Sequence, residues 1–244
     1  MFSLLKRIQK AKRPYCAALV PAAGSSSRMG RTTNKLLEPL EGAPVLVRTL
    51  TSLQLAEGID EIVVAAREEE LVEISQLCRT YGITKCTKVV RGGESRVHSV
   101  LLAALEASPE ASLLAVHDGA RPLVTPELVD RVVHAAANCG AAAPALPVKD
   151  TVKTVREDGS VERTLERDSL RAVQTPQVFE ASLLKAALQA ALESGAAVTD
   201  DCSAVERLGK VVFLVEGEEE NLKITTPVDL ILAEAILKAR EEGR

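Results

Sequence analysis

The sequence predicts an α/β fold built on a mostly parallel, doubly wound sheet. Short apolar runs alternate with segments in which apolar residues recur at helical spacing, and this alternation is typical of strands joined by crossover helices. Small or polar loops follow several of the apolar runs, at the strand ends where such sheets bind ligands. Later in the chain, two segments with period-two alternation predict a β-hairpin instead. The expected architecture is therefore an α/β sheet with a protruding hairpin arm.

The first predicted strand, 17–20, leads into a loop of small residues. The loop reads Pro21-Ala22-Ala23-Gly24-Ser25-Ser26-Ser27-Arg28-Met29, and Asn34-Lys35 follow it. Small side chains let backbone N–H groups approach an anion closely, while Arg28 adds a planar fork for phosphate oxygens and Lys35 a compact charge. We predict a polyphosphate-binding loop, although it matches neither a Walker loop nor the dinucleotide fingerprint. A Gly/Ser turn with two solvated cations is the alternative.

The elements after this loop alternate as the fold class requires. A helix begins at Pro44 and stops at Gly58, and further helices are predicted at 67–81, 94–107 and 126–138. Thr125 is expected to cap the last of these helices, and Gly140 to end it. Strands are predicted at 61–66, 88–90, 113–116 and 141–146. Gly92-Gly93 and His117-Asp118 follow two of these strands, so both pairs are expected at the ligand-binding edge.

A hairpin interrupts this alternation. Residues 151–155 and 161–165 alternate with period two around Glu157-Asp158-Gly159-Ser160, which suits an Asp-Gly turn. Because an isolated hairpin is marginally stable in water, we predict that it packs against a second copy, as a dimerisation arm at about 148–171. The chain then resumes a strand at 172–174, a helix at 181–193 and an acidic helix start at Thr199-Asp200-Asp201. A strand at 210–215 and a helix after Pro227 complete it.

Composition narrows the functional class. The net charge of −4 argues against a general nucleic-acid binder, and no apolar run approaches the roughly 20 residues that span a bilayer. Residues 1–14 are basic without the apolar centre of a signal peptide, so we predict a flexible leader before one domain at 15–244. The five cysteines show no metal-type spacing and suit reduced thiols in a cytoplasmic protein.

Several separated motifs resemble one family, the bacterial 2-C-methyl-D-erythritol 4-phosphate cytidylyltransferases, which are nucleotidyltransferases with a Rossmann-like core. The resemblance runs from about Cys16 to Ala239. The matching motifs are Pro21 to Met29 with Lys35, Gly92-Gly93 through Arg96 and Ser99, His117 to Pro122, Pro147 to Thr151, Arg167, Thr175-Pro176-Gln177, Thr199-Asp200-Asp201 and Asn221-Leu222-Lys223. Two departures are Ser26, where the family often has a glycine, and Asn34-Lys35-Leu36, where Pro-Lys-Gln is common.

The resemblance implies attack by a polyol-phosphate oxygen on the α-phosphorus of CTP, with release of pyrophosphate. This nucleophile is already an anion, so positioning and electrostatic stabilisation carry the catalysis. By resemblance, Arg28 and Lys35 bind the triphosphate and stabilise the transition state, and Lys223 supports the α-phosphate from the opposite side. Mg²⁺, or another divalent cation, is expected to bridge phosphate oxygens.

The binding residues are also carried over from the resemblance. Those implied for the nucleotide are Pro21, Ala22, Ala23, Gly24, Gly93, Glu94, Ser99 and Asp118. Those implied for the acceptor are Asp118, Arg121, Thr151, Arg167, Thr175 and Lys223. Asp118 is expected to contact either the metal or an acceptor hydroxyl, and His117 is expected to be a packed histidine rather than a base. Thr151 and Arg167 lie on or beside the arm, so a second subunit is expected to complete the acceptor site.

Three other functions remain open from the sequence. A cytidylyltransferase for another polyol phosphate, such as ribitol 5-phosphate, shares most of these motifs. A non-catalytic nucleotide-binding module would bind CTP without releasing pyrophosphate. A purine- or uridine-using sugar pyrophosphorylase is the remaining alternative, and it would differ in the nucleotide that raises the melting temperature.

Overall fold

The computed structural model describes residues 13–24 and 34–243. The predicted leader therefore lies almost entirely outside the described residues. The strands are β1 (Cys16–Pro21), β2 (Pro39–Leu40), β3 (Ala43–Pro44), β4 (Glu61–Ala66), β5 (Cys86–Arg91), β6 (Leu113–Val116), β7 (Ala141–Pro147), β8 (Lys153–Val155), β9 (Val161–Thr164), β10 (Arg171–Val173), β11 (Gln177–Glu180) and β12 (Phe213–Glu216). The helices are α1 (Val45–Leu55), α2 (Leu71–Thr80), α3 (Arg96–Glu106), α4 (Pro126–Cys139), α5 (Ala181–Glu193), α6 (Asp201–Arg207) and α7 (Pro227–Glu241).

Eight of the described strands form the central sheet. Their order is β10-β7-β11-β6-β1-β4-β5. β10 and β11 pair with the same edge of β7, and β12 pairs with its opposite edge. β1 pairs in parallel with β4 and β6, and the β4–β5 and β7–β12 pairs are parallel too. β10 and β11 run antiparallel to their neighbours. The mostly parallel sheet is thus confirmed.

The short antiparallel strand β11 was not predicted. It inserts between β6 and β7, where Val178 pairs with Ala115 on one side and Ala142 on the other. A four-residue run directly before a helix carries no strand period of its own, so its conformation comes from tertiary pairing.

The core lies on both faces of the sheet, as a doubly wound fold requires. Along β1, Ala18 and Val20 face α1, α2 and α4, whereas Ala17 and Leu19 face α3, α5 and α6. All four side chains are fully buried. Strands buried on both faces read as continuous apolar runs, which is the pattern that the sequence shows.

The predicted ends of α4 are observed. The Thr125 hydroxyl accepts a hydrogen bond from the Leu128 N–H at 3.1 Å, and Pro126 is the first helical residue. Gly140 ends the helix with a φ of 83°, a left-handed conformation that glycine adopts without strain. No helix in the described part of the chain is long and apolar enough to cross a membrane.

The predicted hairpin is observed as β8 and β9, which pair with each other in a sheet separate from the central one. In its turn, the Asp158 carboxylate accepts the Ser160 N–H at 2.8 Å, and Gly159 has a φ of 82°. Val155 and Val161 are 62% and 55% exposed. The arm therefore presents apolar side chains that its own chain does not cover.

Candidate active site

A cavity of about 470 Å³ lies at the carboxyl ends of β1, β5 and β6. Among the described residues, its lining consists of Pro21, Ala22, Ala23, Gly24, Lys35, Leu36, Gly93, Glu94, Ser95, Arg96, Ser99, Asp118, Gly119, Ala120 and Lys223. Every residue that the sequence assigned to the nucleotide is in this lining, together with Lys35 and Lys223. Arg28 lies outside the described residues.

The turn that brings Gly93 into the cavity lining needs glycine at two successive positions, Gly92 and Gly93. A Cβ atom on Gly92 would lie 2.5 Å from the Cβ of Ala23, and a Cβ on Gly93 would lie 2.3 Å from the His98 ring. The Ser99 hydroxyl then fixes this turn, since it accepts the Gly93 N–H at 3.0 Å and donates to the Ser95 carbonyl at 2.9 Å. The ends of β1 and β5 are thereby held close together beside the cavity.

Asp118 is the electrostatic centre of the site. The Lys223 Nζ lies 2.8 Å from its carboxylate, and guanidinium nitrogens of Arg96 and Arg121 each lie 3.5 Å from it. Burial alone would raise the pKa of Asp118, but these three cations outweigh burial and hold its pKa well below the ordinary value. The carboxylate is therefore charged at neutral pH, and it fixes cations that come from three separate segments.

Arg96 is the first residue of α3. It belongs to one of the matching motifs, but the sequence predicted no role for it. It spans two carboxylates, because its Nη2 also lies 2.7 Å from Asp201, whose side chain is fully buried. Burial would lower the pKa of Arg96, but Asp201 and Asp118 raise it above the ordinary value. The helix N-terminus at Ser95 adds a partial positive charge at the same wall.

Lys35 and Lys223 reach the cavity from distant parts of the chain. The Lys35 Nζ donates to the Ile224 carbonyl at 2.8 Å, which joins the first loop to the segment that carries Lys223. That segment is held by the Ile224 N–H, which donates to the Ala120 carbonyl at 2.8 Å. Arg121 fixes it further, through a 2.6 Å hydrogen bond to the Asn221 carbonyl.

His117 lies inside the fold, behind Asp118. Its side chain is fully buried, with the Thr175 hydroxyl 3.0 Å from Nδ1 and the Arg121 carbonyl 3.4 Å from Nε2. Because the Arg121 carbonyl can only accept, the neutral ring carries its proton on Nε2, and Nδ1 accepts the Thr175 hydroxyl proton. The Thr175 oxygen in turn accepts the Asp118 N–H at 3.2 Å. Burial lowers the pKa of His117 to about 4, which keeps it neutral at pH 7. The expectation of a packed histidine agrees with this arrangement.

Four predicted acceptor residues do not line the cavity. Arg121 and Thr175 support Asp118 from behind it, and Thr175 is only 4% exposed. Thr151 and Arg167 lie at the base of the arm, where both are exposed and Arg167 donates to the Lys149 carbonyl at 3.2 Å.

Sequence reasoning also left the role of the Thr199-Asp200-Asp201 motif open. Asp200 caps α6 by accepting the Ser203 N–H at 2.9 Å. Asp201 instead pairs with Arg96, which is 105 residues earlier in the chain. Only the structure separates these two neighbouring carboxylates into a helix cap and a support for the site.

The arrangement suits a polyanion. Lys35, Arg96 and Lys223 line the cavity, whereas the lining acids are Asp118, which is paired, and Glu94. A cavity whose lining carries more positive than negative side chains stabilises charge that develops on a phosphate. A cluster of three or more His, Cys, Asp or Glu side chains that could hold a metal ion is absent from the described residues.

Comparison with known proteins points in the same direction. The model of one family, described as 2-C-methyl-D-erythritol 4-phosphate cytidylyltransferase, matches residues 16–239. An enzyme of that name from Pelotomaculum thermopropionicum is 45% identical over 227 residues, which cover 92% of this chain and 95% of the relative. The crystal structure of 4-diphosphocytidyl-2C-methyl-D-erythritol synthase from Anaerococcus prevotii superposes with a TM-score of 0.81, at 31% identity, over 93% of this chain and 100% of its own. The 2-C-methyl-D-erythritol 4-phosphate cytidylyltransferase of Thermus thermophilus gives a TM-score of 0.74, at 36% identity, over 92% and 99%.

Proposed function

The chain belongs to the 2-C-methyl-D-erythritol 4-phosphate cytidylyltransferase family, and from that premise we propose how its cavity transfers CMP from CTP to 2-C-methyl-D-erythritol 4-phosphate. The reaction joins the acceptor phosphate to the α-phosphorus of CTP and releases pyrophosphate. The observation that carries the proposal is that Lys35 and Lys223 line one cavity. Lys35 is held there by the Ile224 carbonyl and Lys223 by the Asp118 carboxylate.

The lysines act by bringing two anions together. Lys35 binds the triphosphate, together with Arg28, and stabilises the charge that grows on the α-phosphate as the new bond forms. Lys223 approaches from the Asp118 side, where it supports the α-phosphate from the side opposite Lys35 and also neutralises the incoming acceptor phosphate. Because the nucleophile is already charged, no side chain has to remove a proton, which agrees with a buried and neutral His117.

The cytosine is held by the wall that contains Gly93. Uracil and cytosine differ in a carbonyl and an amino group at one ring position, so discrimination requires a hydrogen-bond acceptor at a fixed distance from the ring. We assign this role to backbone groups of Ala22, Ala23 and Gly93, with Ser99 fixing the turn and Glu94 beside it. The absence of a Cβ atom at Gly93 lets the His98 side chain pack directly against the turn that carries these backbone groups.

The residues present fit a divalent cation that arrives with the nucleotide rather than one resident in the protein. Asp118 is the buried carboxylate in the described lining, and its oxygens already contact three cations. Mg²⁺ would then be held chiefly by triphosphate oxygens and water, with Asp118 as the protein group nearest to it. When bound, the ion neutralises phosphate charge.

We also propose that the enzyme is a homodimer formed through the arm at 148–171, in which the partner's Thr151 and Arg167 complete the acceptor site. The exposed Val155 and Val161 support a partner on the arm. Free thiols at all five cysteines support a reducing, cytoplasmic location for this single nucleotidyltransferase domain.

Pyrophosphate release tests the lysine roles. Lys35→Ala and Lys223→Ala should each reduce kcat by roughly a hundredfold or more, the usual cost of losing one such donor. Lys210→Ala, an exposed lysine that does not line the cavity, is the matched control and should retain full activity. Normal turnover by Lys35→Ala would refute the assignment.

Mixing two inactive variants tests the shared acceptor site. Lys35→Ala and Arg167→Ala should both be inactive alone. If Arg167 acts in the partner's site, re-equilibrated mixtures contain dimers with one intact site, and about a quarter of the wild-type activity returns. No recovery, in a mixture that light scattering shows to be dimeric, would mean that Arg167 acts within its own subunit.

A further inference from the structure

We propose that Glu70 is a positioning residue for Lys35 and that it acts through Asn34. The inference rests on the proposed function, in which Lys35 contacts the triphosphate. Glu70 lies outside the cavity lining, and the sequence presents it as one of three glutamates at a solvated helix start. In the structure it is only 5% exposed, whereas the Glu69 side chain is 68% exposed.

The contact between Glu70 and Asn34 is specific. The Asn34 Nδ2 donates to both carboxylate oxygens of Glu70, at 3.0 Å to Oε1 and 2.9 Å to Oε2. Asn34 is itself only 4% exposed, so each group satisfies the other in a buried setting. Arg67 also hydrogen-bonds to Glu70 and forms an ion pair with it, so the buried carboxylate has a cationic partner as well as the Asn34 amide.

The other end of the Asn34 amide shapes the turn that carries Lys35. Its Oδ1 accepts the Leu36 N–H at 3.1 Å, and its backbone carbonyl accepts the Leu37 N–H at 2.9 Å. Lys35 is therefore the central residue of an Asx turn formed by the Asn34 side chain. Glu70 anchors that side chain through its amide nitrogen. A proline at position 34, the common residue in the resembling family, has no side-chain amide, so this anchor depends on the asparagine of this chain.

The anchor affects catalysis because the Lys35 ammonium must lie within hydrogen-bond distance of the group that it stabilises. The Lys35 Nζ reaches Ile224 at 2.8 Å across the cavity. A displacement of about 1 Å in a group of this kind costs up to a hundredfold in rate. Release of Asn34 from Glu70 would free the backbone on the N-terminal side of Lys35 and impair catalysis without removing any group that contacts substrate.

The test is a double-mutant cycle of Asn34→Ala and Glu70→Ala, in which steady-state pyrophosphate release is measured for each variant. Asn34→Ala and Glu70→Ala should each lower kcat/KM for CTP roughly ten- to a hundredfold, with the KM for methylerythritol phosphate unchanged within about twofold. The kcat/KM of the double variant should be no lower than that of the less active single variant, because both substitutions break the same Asn34–Glu70 contact. Glu69→Gln, on the same turn and also near Arg67, should match the wild type.

The decisive comparison makes the Asn34 and Glu70 substitutions in the Lys35→Ala variant as well as in the wild type. If Asn34 and Glu70 act through Lys35, substituting either of them in that background should produce no further loss. A further loss of the same size as in the wild-type background would overturn the proposal. If Lys35→Ala alone retains full activity, the assigned role of Lys35 has failed instead, so the two failures are distinguishable.

Asn34→Asp keeps the inference testable if the alanine variants unfold. Two carboxylates in contact repel unless they share a proton, and burial of the pair raises the pKa of one of them. Relative to the wild type, kcat/KM of this variant for CTP should therefore recover roughly tenfold between pH 8 and pH 6. A ratio that does not change with pH, in a variant that melts cooperatively at both values, would contradict the proposal.

Discussion

The pH dependence of folding offers a quantitative check on the interior of the site, through substitution of His117. Its pKa is lowered from 6.5 to about 4 by burial, so the unfolded chain binds this proton first as the pH falls. The stability that His117 contributes is therefore complete above pH 6.5 and is lost progressively down to about pH 4.

The size of the effect follows from the shift. A difference of about 2.5 pKa units corresponds to about 3 kcal/mol in the free energy of unfolding, of which about 2 kcal/mol is lost between pH 7 and pH 5. The low pKa of Asp118 contributes mainly below pH 4, since its stabilisation is lost only as the pH falls through its ordinary value and further. Burial raises the pKa of Asp201, so the pH dependence of the site has other contributions, and the comparison of the wild type with a His117 variant isolates that of the histidine.

Urea unfolding at pH 7, 6 and 5 measures this difference. Far-UV circular dichroism is the suitable signal, because the chain has no tryptophan. His117→Gln should be less stable than the wild type at pH 7, since packing is lost. Its free energy of unfolding should, however, fall by about 2 kcal/mol less than that of the wild type between pH 7 and pH 5. Parallel pH curves for the two proteins would refute a buried, neutral histidine.

Three further substitutions test the walls of the cavity. Asp118→Asn should lower the free energy of unfolding by about 3 kcal/mol or more, because it leaves Lys223 and Arg121 without their carboxylate and Arg96 with Asp201 alone, and should lower kcat by releasing Lys223; a stable, fully active variant would contradict this. Gly93→Ala should raise the KM for CTP roughly tenfold, since its Cβ would lie 2.3 Å from the His98 ring, and an unchanged KM would show that the turn adapts. Ser99→Ala should also raise that KM roughly tenfold by leaving the Gly93 N–H without its acceptor, and calorimetric titration with CTP would reveal unchanged affinity if the hydroxyl is dispensable.

Local sequence signals were sufficient for much of the fold. The apolar runs at β1, β4 and β6 are buried on both faces, and residues at the ends of such strands are predicted to meet. Thr125 and Gly140 mark a helix start and stop through chemistry that acts within one turn. Residues 21–24, Gly93 and Asp118 could be expected at one edge of the sheet because they follow strand ends, and they do line one cavity. Their nucleotide-binding role came from the family resemblance and stays a prediction.

Other features depend on contacts between distant segments. Asp201 faces Arg96 whereas Asp200 caps α6, and Glu70 faces Asn34 whereas Glu69 is exposed. Sequence spacing cannot distinguish such neighbours, because the fold decides which carboxylate is buried and which is solvated. The strand β11 is a similar case, since its conformation comes from pairing with β6 and β7.

The most direct test of the account is pyrophosphate release by the purified protein with CTP and Mg²⁺, with 2-C-methyl-D-erythritol 4-phosphate and ribitol 5-phosphate as parallel acceptors. We predict rapid release with the methylerythritol phosphate, little with ribitol phosphate, and loss of release in Lys35→Ala but not in Lys210→Ala. Turnover with ribitol phosphate alone would contradict the substrate, and CTP binding without release from either acceptor would contradict the catalytic function of the cavity.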